Sequence, residues 1–285
     1  MEIHGEQRWS EVLKPKDNLL NIRLGEIWRY RDLIQMFVMR DFVATYKQTI
    51  LGPIWFFIQP ILTTIMFAVV FGGFAQLSSD GMPRLLFYLS ALTIWNYFSE
   101  CFTKTSSVFI TNASIFGKVY FPRLIIPISI VVSNLLKFLI QFSLFLGFLI
   151  YYLIDGGYPI KPNLAILLLP VLIIIMAGIS LGAGMIFSAM TTKYRDLTFL
   201  LTFGIQLLMY ATPVIYSVQS IPEKYRGWVM MNPLSPVVEA FRYAFLGTGQ
   251  FSVFSLTYSA SFMVVLLMVS VVIFNRVERT FMDTV

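Results

Sequence analysis

A single cysteine, Cys101, and a single histidine, His4, are all that 285 residues offer to redox or metal chemistry. No intrachain disulfide can form, and zinc-type sites, which draw three or four ligands from such residues, have no material here. Charge is also scarce, at 13% of residues against about 25% in soluble domains. No G-x-x-x-x-G-K-[ST] loop occurs, so the chain does not cradle ATP by that route. H-E-x-x-H and D-x-D are missing as well. Asp80, Asp155, Glu223 and Glu239 lie scattered in the stretches between apolar runs, which argues against a catalyst built on paired carboxylates. The first 24 residues lack an apolar core, so no cleavable signal peptide is expected.

What is present is apolar. Hydrophobic residues make up 57% of the chain and the mean hydropathy is +0.75. That is more apolar surface than a soluble core of this length can hide, and several stretches exceed the roughly 20 residues that cross a bilayer. The expected fold is an all-α membrane protein with six spans, near 54–76, 85–107, 124–153, 164–190, 197–218 and 256–275. A polar tail, 1–24, precedes an amphipathic interfacial helix over 25–52, in which Ile27, Tyr30, Ile34, Phe37 and Val38 recur at helical spacing opposite Arg29, Asp32, Arg40 and Lys47. The transmembrane domain fills 53–285. Pro127 predicts a kink or a separate short helix at the start of the long third span. Gly178, Gly182 and Gly184 predict close helix packing in the fourth.

Eight of the 21 Lys and Arg precede residue 53, which favours both termini on the cytoplasmic side of a multi-pass protein. The stretch WVMMNPLSPVVEAFRYAFLG (228–247) is too short for a span and suits re-entrant helices at the outer face, initiated by Pro233 and Pro236 and ended by Gly247.

Three charges fall inside expected spans: Glu100, Lys104 and Lys137. Each costs a few kcal/mol unless it is paired or faces water. Glu100 and Lys104 share a helix face. Lys137 either meets Glu100 or faces a cavity that receives an anion. The turn FITNASIFGKVYFPRL (109–124) carries Phe116, Lys118, Tyr120, Phe121 and Arg123. Aromatics of this kind suit a groove on a soluble partner, or equally a turn lying on lipid. TTKYRDLT (191–198) leaves the same choice. Trp55, Phe56, Phe57, Trp95, Tyr97, Phe98, Tyr210 and Tyr216 either line a path along which a sugar chain slides or form an interfacial belt.

RDFVATYKQTILGPIWFFIQP (40–60), followed by six spans and by NPLSPVVEAFRYAFLG (232–247), resembles the membrane subunit of polysaccharide-exporting ABC transporters, the ABC-2 type permeases. The resemblance covers about residues 25–280. It implies a homodimer in the bacterial inner membrane that exports a lipid-linked glycan such as O-antigen, capsule or teichoic acid. Two copies of a cytoplasmic ABC ATPase would hold the ATP and magnesium, leaving this chain without a cofactor, without enzymatic activity and without a nucleic-acid partner. It implies docking of that ATPase on residues 25–49 and 108–123, and an outer gate at Asn232, Pro233, Pro236, Glu239 and Arg242. Gly52-Pro53 would then be the corner between interfacial helix and first span, with Arg40 and Lys47 beside it to meet a lipid pyrophosphate headgroup. A drug or small-lipid exporter of the same build, and a membrane enzyme acting on polyprenyl-linked sugars, are the alternatives.

Overall fold

The computed structural model describes residues 24–47, 52–116, 121–194 and 196–281. Most of the expected polar tail, together with Lys118 and Tyr120, lies outside them. The described residues are helical with no strand among them. Two short helices come first, α1 (Leu24–Arg29) and α2 (Arg31–Tyr46), divided at Tyr30 where one continuous helix was expected. Gly52 opens the turn into the first long segment with φ +53, a left-handed backbone that side-chain-bearing residues rarely adopt. That segment is α3 (Trp55–Phe67), continued by a π-helical stretch, Ala68–Phe74. Then come α4 (Arg84–Ser106), the one-turn helices α5 (Val108–Thr111) and α6 (Ala113–Phe116), and α7 (Ile125–Asp155). The remainder is α8 (Leu169–Lys193), α9 (Leu197–Ala211), α10 (Glu223–Met230), α11 (Ser235–Leu246) and α12 (Val253–Phe281).

Among the described residues, four helical segments are long and apolar enough to cross a bilayer: Trp55–Phe74, Ile125–Asp155, Leu164–Lys193 and Val253–Val277. The helices at the second and fifth expected spans differ for separate reasons. Most of α4 is buried, and a helix that faces protein instead of lipid can carry Asn96, Glu100 and Lys104. Helix α9 has 15 residues, roughly 22 Å at 1.5 Å per residue. It stops at Ala211 because Pro213 follows and the chain turns extended at Thr212. Pro127 produces no kink. It sits in the first turn of an unbroken 31-residue helix, where its missing N–H would have had no intrahelical partner.

Helix α8 packs between α4 and α12. Its glycines explain how closely. A Cβ on Gly184 would lie 2.6 Å from Thr105 Cβ of α4, and one on Gly182 would lie 3.0 Å from Leu266 Cγ of α12. Gly178-Ile179-Ser180-Leu181-Gly182 also spells G-x-S-x-G, the pattern of a serine-nucleophile turn. Here it is mid-helix, and the buried Ser180 hydroxyl donates to the Ala177 carbonyl at 2.9 Å. It is a packing surface.

Two apolar clusters result. The larger joins α4, α7, α8 and α11. The smaller gathers Phe37 of α2, Phe109, Phe116 and Phe121, the start of α7 and Phe274 of α12. The buried side of α2 therefore faces protein, while Met36 and Met39 remain exposed on its other side, as does Trp28 of α1.

Candidate functional site

Between α3, α4 and α7 lies a chamber of about 500 Å³. Polar residues reach it at three- and four-residue spacing along otherwise apolar helices, so that each helix turns one polar stripe inward. From α3 come Gln59 and Thr63, from α4 Asn96, Ser99 and Glu100, and from α7 Asn134, Lys137 and Gln141. Trp55, Phe56 and Phe138 supply aromatic wall.

The charges meet at one end of the chamber. Glu100 Oε2 lies 3.1 Å from Lys104 Nζ and 3.6 Å from Lys137 Nζ. Lys104 Nζ also donates to Asn134 Oδ1 at 3.2 Å. Lys137 stands over the Phe56 ring, 5.7 Å from its centroid. Two lysines thus share one carboxylate, which leaves the cluster with a net positive charge. The two sequence alternatives for Lys137 coexist, because it approaches Glu100 and lines the cavity. Farther along, Asn96 Nδ2 donates to Gln141 Oε1 at 3.4 Å. A neighbouring cleft of about 320 Å³ is lined by Arg40, Lys104, Asn112 and Thr111. Arg40 pairs with Asp41 at 2.7 Å and its guanidinium covers the Phe37 ring. Lys47, the C-cap of α2, is exposed.

A second acid–base pair, on α11, is buried. Arg242 of α11 donates from Nη1 to the Pro213 carbonyl at 2.6 Å and the Tyr216 carbonyl at 3.1 Å, and from Nη2 to the Val214 carbonyl at 2.7 Å. It also contacts Glu239 Oε1 at 3.3 Å and lies flat over Phe87, 3.9 Å from the ring centroid. Glu239 Oε2 accepts from the Gln250 N–H at 3.0 Å. Burial pushes the Glu239 carboxyl above its ordinary range, opposed by Arg242 and by that N–H. Non-helical backbone at membrane depth needs such donors. Asn232 Oδ1 accepts from the Leu234 N–H in the turn before α11, and its amide donates to Thr212 Oγ1 at 2.8 Å. Pro233 is half-buried, and Pro236 is buried in the first turn of α11.

Glu239 and Arg242 are each 1% exposed, and they clamp the 213–216 segment from within the core. Trp95 and Phe98 are buried in the chain's own core. So buried, neither presents its ring at the surface of the chain. Tyr97 is mostly buried but touches the chamber. Trp55, Phe57 and Tyr210 are exposed, and the Tyr216 hydroxyl donates to the Tyr210 carbonyl at 3.2 Å. Phe116, Phe121 and Arg123 are buried too, Phe121 packing against Phe37 and Phe116 and Arg123 over the Phe116 ring. They shape the turn from behind, and Ile110 and Thr111 face outward instead.

Gln59, Asn96, Asn134 and Gln141 went unremarked in the sequence. The signal was there as polar residues at helical spacing in step with Glu100 and Lys137, which single-residue inspection of charges passes over.

An all-α bundle with four span-forming helices and a hydrophilic chamber among them is the build of a multi-pass membrane permease. The chain belongs to the ABC-2 type transporter family, whose family model matches residues 32–246. It is 29% identical over 254 residues to the O-antigen export system permease protein RfbA of Klebsiella pneumoniae, across 88% of this chain and 94% of that one. A protein of the same name from Myxococcus xanthus is 26% identical, across 77% and 82%. The polysialic acid transport protein KpsM of Escherichia coli is 22% identical, across 88% and 95%.

Proposed function

We propose that this chain is the membrane subunit of an ATP-driven exporter that moves a lipid-linked polysaccharide across the inner membrane. The observation that carries the reading is a chamber of amides, aromatics and lysine inside an apolar bundle whose full-length relatives are named for polysaccharide export. Amide side chains donate and accept at once, which suits vicinal hydroxyls. Aromatic faces give a sugar ring contact without a tight site. Two copies of the chain form the channel, with six spans each and both termini cytoplasmic. ATP and magnesium belong to a separate ABC ATPase, two copies of which dock on the exposed side of α2 and on the outward face of the α5–α6 turn. Arg40 and Lys47 meet the pyrophosphate headgroup at the cytoplasmic face, where Gly52 turns the chain into the bilayer.

The test is gentle purification of the tagged chain from its native membranes. A stoichiometric ATPase subunit, together with intracellular build-up of glycan when the chain is deleted, is the expected result. A chain that purifies alone, from cells whose surface glycan does not depend on it, overturns the reading.

A further inference from the structure

The Glu100 cluster has one more cation than it needs. Glu100 already has Lys104 at 3.1 Å, a direct charge-assisted contact. Lys137 is held at 3.6 Å, beyond good hydrogen-bonding distance, and Glu100 is its one ion-pair partner among the described residues. The Lys137 side chain is 16% exposed and that exposure opens into the chamber. A cation so placed in an apolar bundle is costly unless something anionic visits it.

Asn134, three residues before Lys137 on the same face of α7, is 1% exposed and its Oδ1 accepts from Lys104. It holds the cluster from behind and leaves the Lys137 ammonium to meet an oxyanion. Beyond them stand Gln59, Asn96 and Gln141, with Trp55 on the wall. The volume, about 500 Å³, falls within the roughly 300–1,000 Å³ of ligand-holding clefts.

Resting on the export reading above, we infer that the α3–α4–α7 chamber is an intramembrane subsite for the phosphate-bearing end of a lipid-linked glycan. Lys137 binds the phosphate oxygens, and the amide-lined part receives the first sugar. Glu100 is a placeholder that screens Lys137 when the site is empty and stays on Lys104 when phosphate arrives. Lys104 lines the adjoining cleft with Arg40 and its ion-pair partner Asp41, so three basic groups, two of them already paired with carboxylates, lead from the surface helix to the chamber. The headgroup passes from Arg40 to Lys104 to Lys137.

The experiment uses the complete exporter, permease with its ATPase, in lipid nanodiscs. Farnesyl diphosphate is the lipid probe, inorganic pyrophosphate the solution anion and farnesol the uncharged control, with binding read by intrinsic tryptophan fluorescence. The wild-type exporter should bind farnesyl diphosphate and ignore farnesol. Lys137→Gln should weaken binding about tenfold or more, the loss of one charge-assisted contact, and Lys137→Arg should largely restore it. Glu100→Gln should tighten binding, because it removes the competing carboxylate. These opposite signs decide the matter, since a purely structural ion pair would lose binding and thermal stability alike in both variants, and that result overturns the subsite. Pyrophosphate binding as tight as farnesyl diphosphate, with the same Lys137 dependence, places the anion in solution and overturns the lipid-linked assignment. Equal probe binding with and without Lys137, in an exporter that still carries glycan, overturns the subsite alone and leaves the export reading standing.

Discussion

On α11 a glutamate and an arginine one turn apart close upon each other, whereas on α4 a glutamate and a lysine one turn apart stay open to a cavity. Both are acid–base pairs at helical spacing within a largely apolar fold. What separates them is their surroundings. Arg242 finds three backbone carbonyls and an aromatic face, and Glu239 finds a backbone N–H. Those groups fix the 213–216 segment from within the core. Glu100 finds two lysines and a chamber. A buried charge pair is therefore structural or functional according to whether a cavity opens beside it.

Substitutions ordered by their expected effect on stability sharpen that contrast. Arg242→Ala should be the most damaging, because it strands Glu239 and three carbonyls. Breaking a buried pair of this kind costs about 3–5 kcal/mol, visible as lost folded yield and a lowered Tm in detergent. Arg242→Lys should recover little, since an ammonium cannot reproduce the planar fork. Phe121→Ala follows, at about 3 kcal/mol. It unseats Phe37, and with it α2, so ATP hydrolysis should lose its response to substrate in whatever protein survives. If Phe121→Ala keeps full coupling, the α5–α6 turn does not transmit. Gly184→Leu should cost about 1–3 kcal/mol by forcing α8 away from α4, again read by thermal unfolding. Last comes the pair Glu100→Gln with Lys137→Gln, expected to cost less than Arg242→Ala because both groups face the chamber. A loss there as large as that of Arg242→Ala would make the two clusters equivalent and remove the distinction.

The sequence carried the fold class and the packing role of Gly182 and Gly184, since apolar length and small-residue spacing are local properties. It carried the helix boundaries less evenly. Pro127 looked like a kink until its place in the first turn was known, and the carbonyls after α9 are bound by Arg242, a partner distant in the sequence. The candidate site was half legible. Glu100, Lys104 and Lys137 stood out by charge, but their sharing of one carboxylate is a tertiary fact. Phe116 and Phe121 were visible as aromatics, while their burial behind the turn was not, because an aromatic at a corner looks the same whether it faces a partner or its own core.

The π-helical stretch Ala68–Phe74 gives the chamber an unexpected dependence. Its backbone bonds span five and six residues, as from the Ala75 N–H to Val70 O and the Leu77 N–H to Phe71 O, one residue or more beyond α-helical spacing. Gly72 within it packs against the Arg84 side chain at the start of α4. The stretch acts as a phase shifter on a shaft, with the end at Gly72 locked and the rest of α3 set to its angle by the extra residue. Deleting one residue there would dial the shaft by about 100°, carrying Trp55, Gln59 and Thr63 off the chamber wall while leaving every one of those side chains in place along the chain.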